Sequence, residues 1–196
     1  MVIKNLVLSG GSWKGLYMAG AIKKLIDDKF INIDEVESIW ATSVGTIIGI
    51  LFSLKIDWDD IIEYFVNVPL NNFTTLKLED YLRTIKECGL LNKSFFIKLL
   101  NVFFNTKNLN FQEITLQEFY NYTNIEIHFF ATHYQDMVLE DFNHKTYPNV
   151  KLLDALYASC CFPLAFKPEK INNNIYIDGG LIAHYPCVYC LNEKKK

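Results

Sequence analysis

A serine in a short turn is the residue of this sequence best placed to act as a nucleophile. Ser43 follows an apolar, strand-like run from Val36 to Trp40 and precedes Thr46 to Leu51, which predicts a buried helix. A strand, a tight turn with a serine and a helix form a nucleophile elbow, which holds the hydroxyl clear of the backbone at the tip of a parallel sheet. Gly45 fits the usual Gly-x-Ser-x-Gly pattern, and Ala41 replaces its first glycine with another small residue. A buried helix cap is the alternative, because matches this short are frequent by chance.

A glycine-rich loop between the first predicted strand and the first predicted helix has the features of an anion site. Residues 2–8 predict the strand, and a helical pattern runs from Leu16 to Ile26. Between them lie Ser9 to Gly15. The main-chain N–H groups of such a loop gather at the positive end of the helix dipole, where they attract negative charge.

Four interpretations of this loop compete. A dinucleotide-binding fingerprint would need glycine in place of Ser12 and an acidic residue where the second strand ends at Ser43. A P-loop ends in Gly-Lys-Ser/Thr, whereas Lys14 and Gly15 stand in the reverse order. An oxyanion hole would use N–H groups near Gly11 and Ser12, and a tight turn without a ligand is the fourth possibility. We favour the oxyanion hole, because it alone uses the serine at the end of the next strand.

A carboxylate at the end of a later strand is a candidate for the base that a serine nucleophile needs. Asp178 ends the strand-like run Ile175–Ile177 and is followed by Gly179 and Gly180. In the order Ser…Asp…His only His184 follows a plausible acid, and its spacing from Asp178 is short for two independent loops. A dyad in which a partly desolvated Asp178 takes the proton itself is the other possibility. Capping of a turn, without chemistry, is the third.

The composition predicts one globular domain over residues 1–196. Of the 196 residues, 51% are apolar and 21% are charged, which argues against a disordered chain. The net charge of -3 gives no indication of a nucleic-acid partner. The strand that begins close to Met1 leaves no room for a signal peptide, and no apolar run reaches the roughly 18 residues of a membrane span. We therefore expect a cytoplasmic protein.

An odd number of cysteines without an export signal predicts reduced thiols. The cysteines are Cys88, Cys160, Cys161, Cys187 and Cys190. The last two form a Cys-x-x-Cys pair, but no second pair stands at zinc-site spacing, so buried small residues on a helix are the favoured interpretation. No metal site is predicted.

Residues 55–124 differ from the α/β pattern, since they are charged, aromatic and mainly helical. Apolar side chains recur on one face of the helix predicted at residues 92–105, namely Phe95, Phe96, Leu99, Leu100, Phe103 and Phe104. A core helix is the favoured interpretation. The alternative is a lid or interfacial helix at residues 93–107 that touches lipid with this face, while Lys93, Lys98 and Lys107 meet anionic head groups.

The chain after this segment returns to strand character. Ile125 to Thr132 predicts a strand and Met137 to Phe142 its hairpin partner. Leu152 to Cys160 predicts a helix, and Pro163 lies just beyond it.

Four motifs, in their order and spacing, resemble those of the patatin-like phospholipases. They are Ser9 to Gly15, Ala41 to Gly45, Ala158 to Pro163 with Phe166, and Asp178 to Gly180. The resemblance spans residues 5–186, and four ordered motifs are more specific than any one of them. It implies a three-layer α/β sandwich with a mainly parallel central sheet, helices on both faces and a helical, lid-like insertion at residues 55–124. It also implies hydrolysis of acyl esters of lipids by a Ser–Asp dyad, without a metal or cofactor.

Carried over to this sequence, the resemblance makes Ser43 the nucleophile and Asp178 the base. It makes Gly10, Gly11 and Ser12 the oxyanion hole. Lys14 matches the family's basic position and would anchor that loop or meet a lipid phosphate. The supporting positions are Gly15, Gly45, Gly179 and Gly180.

Three positions depart from the family pattern, and none of them removes a reacting group. Ser12 stands for the third glycine of the loop, Ala41 for the first glycine of the elbow and His184 for an asparagine. We therefore expect a lipid acyl hydrolase of the phospholipase A type that acts on phospholipid or another acyl lipid at a membrane surface, with peripheral membrane contact. The alternative is a catalytically silent lipid-binding or regulatory module of the same family.

Overall fold

The structure, a computed structural model, describes residues 2–68 and 89–195. Residues 69–88 of the predicted insertion, with Cys88, lie outside the described residues. The strands are β1 (Asn5–Leu8), β2 (Ser38–Thr42), β3 (Gly89–Leu91), β4 (Glu126–His133), β5 (Val138–Phe142), β6 (Leu164–Phe166), β7 (Glu169–Ile171) and β8 (Asn174–Asp178). The helices are α1 (Gly15–Asp27), α2 (Val44–Ser53), α3 (Trp58–Asn67), α4 (Ser94–Thr106), α5 (Leu116–Thr123), α6 (Leu152–Cys160) and α7 (Cys187–Glu193).

The central sheet is mixed, and its parallel part carries the glycine-rich loop after β1 and the serine turn after β2. Strands β1, β2 and β4 are parallel neighbours, with Leu8 opposite Ala41 and Thr42 opposite Phe130. Strand β2 begins at Ser38, later than the sequence predicts. A 3-10 turn at Ile33–Glu35, in which the Asn32 side chain accepts a hydrogen bond from the Asp34 N–H, precedes it, and the backbone is extended from Val36, but pairing with β1 starts only at Ser38.

Strand β4 aligns the ends of two other strands. Its hairpin with β5 confirms the predicted pairing and occupies one edge, with registers from Phe129–Phe142 to His133–Val138. Strands β2 and β8 share the other edge end to end, because Thr42 pairs with Phe130 while Asp178 pairs with Ala131. Since β2 is parallel to β4 and β8 is antiparallel to it, their carboxyl ends point at each other. The residues that follow Thr42 and end β8 must therefore meet.

Helices cover the two faces of the sheet unequally. One face carries Ile39, Ala41 and Phe129 and belongs to the main core. Helices α2 and α6 contribute to this core, and nearly all of their residues are buried. The opposite face carries Trp40 and Phe130, which pack with Cys190 of α7. The expected α/β sandwich with helices on both faces is confirmed, although strands β5, β7 and β8 pair antiparallel.

The aromatic face of α4 is part of the protein core. Phe96, Leu99, Leu100, Phe103 and Phe104 are each at most 5% exposed. The ring of Phe104 stacks on that of Phe111 at 4.4 Å, and the ring of Phe103 meets Tyr64 at 4.9 Å. The preferred prediction of a core helix is therefore confirmed, and the face that the alternative assigned to lipid is buried within the protein.

Lys93, which that alternative assigned to anionic head groups, is engaged within the protein. Its Nζ lies 2.6 Å from an oxygen of Asp154 and 2.7 Å from an oxygen of Glu169. Both carboxylates anchor the start of α4 against α6 and β7.

None of the helices within residues 2–68 and 89–195 combines the length and the hydropathy that a membrane span requires.

Candidate active site

Ser43 lies in the turn that joins β2 to α2, in a strained backbone conformation. Its φ angle is 53°, in the left-handed region that non-glycine residues adopt only when their surroundings enforce it. A Cβ on Gly45 would lie 2.6 Å from the carbonyl oxygen of Leu8 and 2.7 Å from that of Ser9. Only glycine fits at position 45, because the first turn of α2 crosses the end of β1 at this point.

A buried serine from α6 holds the backbone of the nucleophile candidate. The N–H of Ser43 donates to Ser159 Oγ at 3.0 Å, and that hydroxyl donates to the carbonyl oxygen of Phe130 at 2.7 Å. Ser159 thus ties the strained turn to β4. Thr46 adds a hydrogen bond from its Oγ1 to the carbonyl oxygen of Ser43 at 2.5 Å.

The Ser43 hydroxyl donates to the Asp178 carboxylate, with Oγ and Oδ2 2.6 Å apart. The other carboxylate oxygen, Oδ1, accepts the Gly180 N–H at 2.7 Å. Asp178 is only 3% exposed, and this burial raises the pKa of its carboxyl group. Hydrogen bonds from Ser43 and Gly180 and the nearby charge of His184 oppose the rise without cancelling it. The carboxylate is therefore more basic than that of a free aspartate, as a proton acceptor for serine should be.

The backbone around Asp178 is fixed from three sides. Its N–H donates to the carbonyl oxygen of Cys161 at 3.1 Å, and its own carbonyl oxygen accepts from Thr132 Oγ1 at 3.0 Å. A Cβ on Gly179 would lie 2.1 Å from the carbonyl oxygen of Phe130, so the chain can leave β8 there only with glycine. These contacts hold the carboxylate in place beside Ser43.

The loop Gly10, Gly11 and Ser12 passes next to Ser43. A Cβ on Gly10 would lie 3.4 Å from Ser43 Cβ, and the Gly10 N–H donates to the carbonyl oxygen of His184 at 2.8 Å. Because that bond occupies the Gly10 N–H, this group is not available as one of the three predicted oxyanion-hole donors. The remaining candidates are the N–H groups of Gly11 and Ser12. Within residues 2–68 and 89–195, the N–H groups of those two residues have no hydrogen-bond partner.

The backbone of this loop explains which positions need glycine. Gly11 has a φ angle of 157° with a ψ angle of 13°, a combination that side chains disfavour. Ser12 has a φ angle of 49°, which an L residue adopts at a modest cost, so serine is compatible with the position. A Cβ on Gly15 would come within 2.3 Å of Val44 Cγ2, so glycine lets α1 pack against the residue after Ser43.

None of the four histidines donates to Ser43 or accepts from it in the described structure. His184 lies nearest, with its imidazole against Gly10 and Gly180, where Cβ atoms would lie 3.0 Å and 3.4 Å from Nδ1. His128 lies on the opposite face of the sheet, with Nδ1 2.7 Å from Asp141 Oδ2. The sequence left a Ser–Asp–His triad open, but Asp178 itself occupies the hydrogen-bonding position on Ser43 Oγ.

Thr46 and three further buried hydroxyl groups hold the site, and none of these contacts was predicted from the sequence. Ser159 and Thr132 are described above, and Thr42 Oγ1 donates to the carbonyl oxygen of Ala183 at 2.8 Å. Ser159 lies inside the Ala158–Pro163 motif, but nothing in the sequence indicates its contact with Ser43. Thr42 lies inside the Ala41–Gly45 motif and Thr132 outside all four motifs, and neither contact was predicted because a threonine in a buried strand looks like an ordinary strand residue.

Lys14 is exposed beside this loop and forms no ion pair with any residue of the described segments. Its side chain folds over Gly11, since a Cβ there would lie 3.2 Å from Lys14 Cβ. Over the same part of the chain, no group of three or more His, Cys, Asp or Glu side chains could hold a metal ion.

Comparison with known proteins gives a family and a fold. The family described as patatin-like phospholipase matches residues 6–191. Among curated proteins, the probable lipid hydrolase 463L of Invertebrate iridescent virus 6 is 30% identical over 198 residues, covering 98% of this chain and 66% of the viral protein. The uncharacterized protein R571 of Acanthamoeba polyphaga mimivirus is 24% identical over 188 residues, covering 94% of this chain and 60% of that protein. The chain thus spans about two thirds or less of these relatives.

Solved structures of two bacterial proteins share the fold. VipD from Legionella pneumophila superposes with a TM-score of 0.62 at 16% identity, covering 93% of this chain and 46% of VipD. ExoU from Pseudomonas aeruginosa, solved in complex with SpcU, superposes with a TM-score of 0.51 at 15% identity, covering 80% of this chain and 38% of the other. At these identities the likeness concerns the fold alone.

Proposed function

Because this chain belongs to the patatin-like phospholipase family, we propose that it is a lipid acyl hydrolase of the phospholipase A type, with Ser43 and Asp178 as a catalytic dyad. The observation that carries the proposal is the 2.6 Å hydrogen bond from Ser43 Oγ to the buried carboxylate of Asp178. A serine that merely capped α2 would not need this partner. The name of the viral relative, a probable lipid hydrolase, supports lipid as the substrate class.

The first half of the reaction acylates the serine. Ser43 Oγ attacks the ester carbonyl carbon while its proton passes to Asp178 Oδ2. The carbonyl oxygen becomes an oxyanion, which accepts hydrogen bonds from the Gly11 and Ser12 N–H groups. When the tetrahedral intermediate collapses, the bond to the alcohol breaks and protonated Asp178 gives its proton to the leaving oxygen. The lysolipid or other alcohol departs, and the acyl group stays on Ser43.

The second half releases the acyl group. Asp178, again ionised, takes a proton from a water molecule as that water attacks the acyl-serine carbonyl. The same two N–H groups hold the second oxyanion. Collapse returns the proton to Ser43 Oγ and frees the fatty acid. The raised pKa of Asp178 favours both proton-accepting steps, since a more basic carboxylate is a better acceptor.

A fluorophosphonate probe tests the proposal, because such probes label only activated serines. We expect labelling of the wild type, loss of labelling in Ser43→Ala and strong reduction in Asp178→Asn. His184→Ala should retain labelling, since the proton acceptor is Asp178. Equal losses in His184→Ala and Asp178→Asn would support a triad instead. A folded wild type that never labels would support a catalytically silent, lipid-binding member of the family.

A further inference from the structure

Large apolar side chains are exposed on three segments that border Ser43 and Asp178. Six of them, which we call the apolar collar, are between 44% and 81% exposed: Trp13, Tyr17, Phe162, Leu164, Leu181 and Tyr185. Such side chains are common singly on protein surfaces, but a concentration around one site marks a place of interaction.

The three segments of the collar meet at the dyad. The loop that precedes Trp13 is joined to the segment before Tyr185 by the hydrogen bond from the Gly10 N–H to the carbonyl oxygen of His184. The segment that carries Phe162 is joined to β8 by the hydrogen bond from the Asp178 N–H to the carbonyl oxygen of Cys161. The three segments of the collar therefore adjoin the carboxyl end of β2.

The three sequence segments that carry the collar have no acidic side chain, although the whole chain has a net charge of -3. Residues 9–20, 159–168 and 179–191 contain no aspartate or glutamate. The same segments carry Lys14, which is exposed and forms no ion pair within residues 2–68 and 89–195. An apolar surface that carries an exposed lysine is complementary to an anionic lipid bilayer, which attracts basic groups and accepts aromatic side chains at its interface.

We propose that the apolar collar is the surface by which this protein docks on an anionic lipid bilayer, with Ser43 facing the lipid. The inference rests on the proposed function in that it takes lipid as the substrate. A protein partner seated on the collar would cover Ser43 and block its substrate, whereas a bilayer brings the substrate to it. The collar thus takes the role that the sequence alone offered to α4, whose aromatic face is buried.

The test measures binding to vesicles in a Ser43→Ala background, so that it does not depend on hydrolysis. The collar variant is Tyr17→Ser with Phe162→Ser, which removes two exposed aromatic rings from separate segments. The matched control is Phe30→Ser with Tyr122→Ser, whose rings are 52% and 49% exposed. Phe30 follows α1 and Tyr122 precedes β4, so both lie at the amino end of the parallel strands, away from Ser43.

We expect the parent protein to co-float with phosphatidylcholine vesicles that contain phosphatidylglycerol. The collar variant should bind at least about tenfold more weakly, because two aromatic side chains no longer leave water. The control variant should bind like the parent. Circular dichroism and thermal unfolding check that each variant is folded.

Three outcomes would overturn the docking proposal. One is equal binding of the collar variant and the parent. Another is a folded parent that binds neither pure phosphatidylcholine vesicles nor vesicles that also contain phosphatidylglycerol. A third is a parent that dimerises in light scattering through contacts abolished in the collar variant, which would make the collar a protein interface. A protein that binds through the collar but labels with no fluorophosphonate would instead contradict only the proposed function.

Lys14→Gln tests the electrostatic part separately. We expect this variant to bind phosphatidylcholine vesicles like the parent but to gain less from added phosphatidylglycerol. If Lys14→Gln keeps the full gain, Lys14 does not contribute to lipid recognition, and the charge argument is wrong.

Discussion

At the scale of single residues, buried hydroxyl groups fix the positions of the ends of β2 and β8 relative to each other. Ser159 holds the N–H of Ser43, Thr132 holds the carbonyl of Asp178 and Thr42 holds the carbonyl of Ala183. None of these side chains reaches a reacting atom of the proposed mechanism. Their effect is to fix the distance between Ser43 Oγ and Asp178, which a small backbone shift would change.

Ser159→Ala should lower kcat on a soluble ester by about tenfold with little change in KM. The reason is that the strained Ser43 N–H loses its acceptor, and an unpaired buried donor costs about 1–3 kcal/mol. Ser53→Ala is the matched control, since Ser53 is also buried and donates to the Gly49 carbonyl in α2, away from the site. Both variants should lower Tm. A Ser159→Ala enzyme with wild-type kcat would show that Ser159 supports the fold alone.

His184 should influence the pH profile without being required for the chemistry. The raised pKa of Asp178 means that this base becomes protonated, and activity is lost, at a higher pH than for an ordinary aspartate. The charge of His184 lowers the pKa of Asp178. In His184→Asn we therefore expect the acidic limb of kcat against pH to move to higher pH. An acidic limb that stays in place, or moves to lower pH, would contradict this role.

At the scale of elements, the meeting of β2 with α2 depends on a glycine. Gly45→Ala should destabilise the protein by about 1–3 kcal/mol, because its Cβ would meet two backbone carbonyl groups at 2.6 and 2.7 Å that cannot move aside. Gly20→Ala is the control, because nothing lies within 4 Å of a Cβ there. In mid-helix that change should stabilise by about 0.5–1 kcal/mol. Chemical unfolding measures both, and equal effects of the two substitutions would be incompatible with the close contact.

On the face of the sheet that carries Trp40, a cluster of one histidine and two carboxylates links β4 with β5. The ring of His128 stacks on Trp40 at 3.5 Å, with Nδ1 2.7 Å from Asp141 and Nε2 3.5 Å from Glu126. Burial lowers the pKa of His128, but the two carboxylates raise it further than burial lowers it. The contact with His128, opposed by burial and assisted by Lys145, lowers the pKa of Glu126 to about 2.

The pKa shifts of His128 and Glu126 define the range of pH in which this cluster stabilises the fold. A histidine whose pKa is raised in the folded state contributes stability at low pH and loses it as pH rises through the folded value. A glutamate whose pKa is lowered contributes stability above its unfolded value and loses it as pH falls towards about 2. The contribution is therefore largest in mild acid and declines on the alkaline side of the His128 pKa.

His128→Gln should lower Tm in mild acid and flatten its decline towards alkaline pH. Calorimetry across this range measures both effects. His133→Gln is the control, because the partner of His133 is Asp136, which is largely exposed. If His128→Gln keeps the wild-type slope of Tm against pH, the histidine does not carry the charge that we assign to it.

How far the sequence predicts these elements depends on what a local pattern can encode. The serine turn, the β4–β5 hairpin and the helix before Pro163 follow from runs of apolar residues and their breaks. The end-to-end arrangement of β2 and β8 does not follow, because every residue of β2 and β4 is buried and no alternation marks an edge or a register. The residues alone therefore left the Ser43–Asp178 dyad as one of three interpretations, and the family resemblance decided between them.

At the scale of the whole molecule, one end of the sheet collects the dyad, the glycine loop and the apolar collar. The aromatic face of α4 shows why the sequence alone left two interpretations of this helix open, since a helix packed in a core and one at a membrane need the same apolar stripe. The collar could not be predicted from the sequence, because its side chains have no periodicity and lie on three separate segments. Only the folded chain brings them together.

The central claim is that Ser43 and Asp178 act as one catalytic unit on lipid esters. The most direct measurement is fatty-acid release from phosphatidylglycerol-containing vesicles, read by mass spectrometry, for the wild type, Ser43→Ala, Asp178→Asn and the control Ser53→Ala. We predict that the wild type and Ser53→Ala release fatty acid, and that the other two variants lose at least about a thousandfold in rate. An Asp178→Asn protein that hydrolyses lipid at the wild-type rate, while Ser43→Ala is inactive, would contradict the dyad.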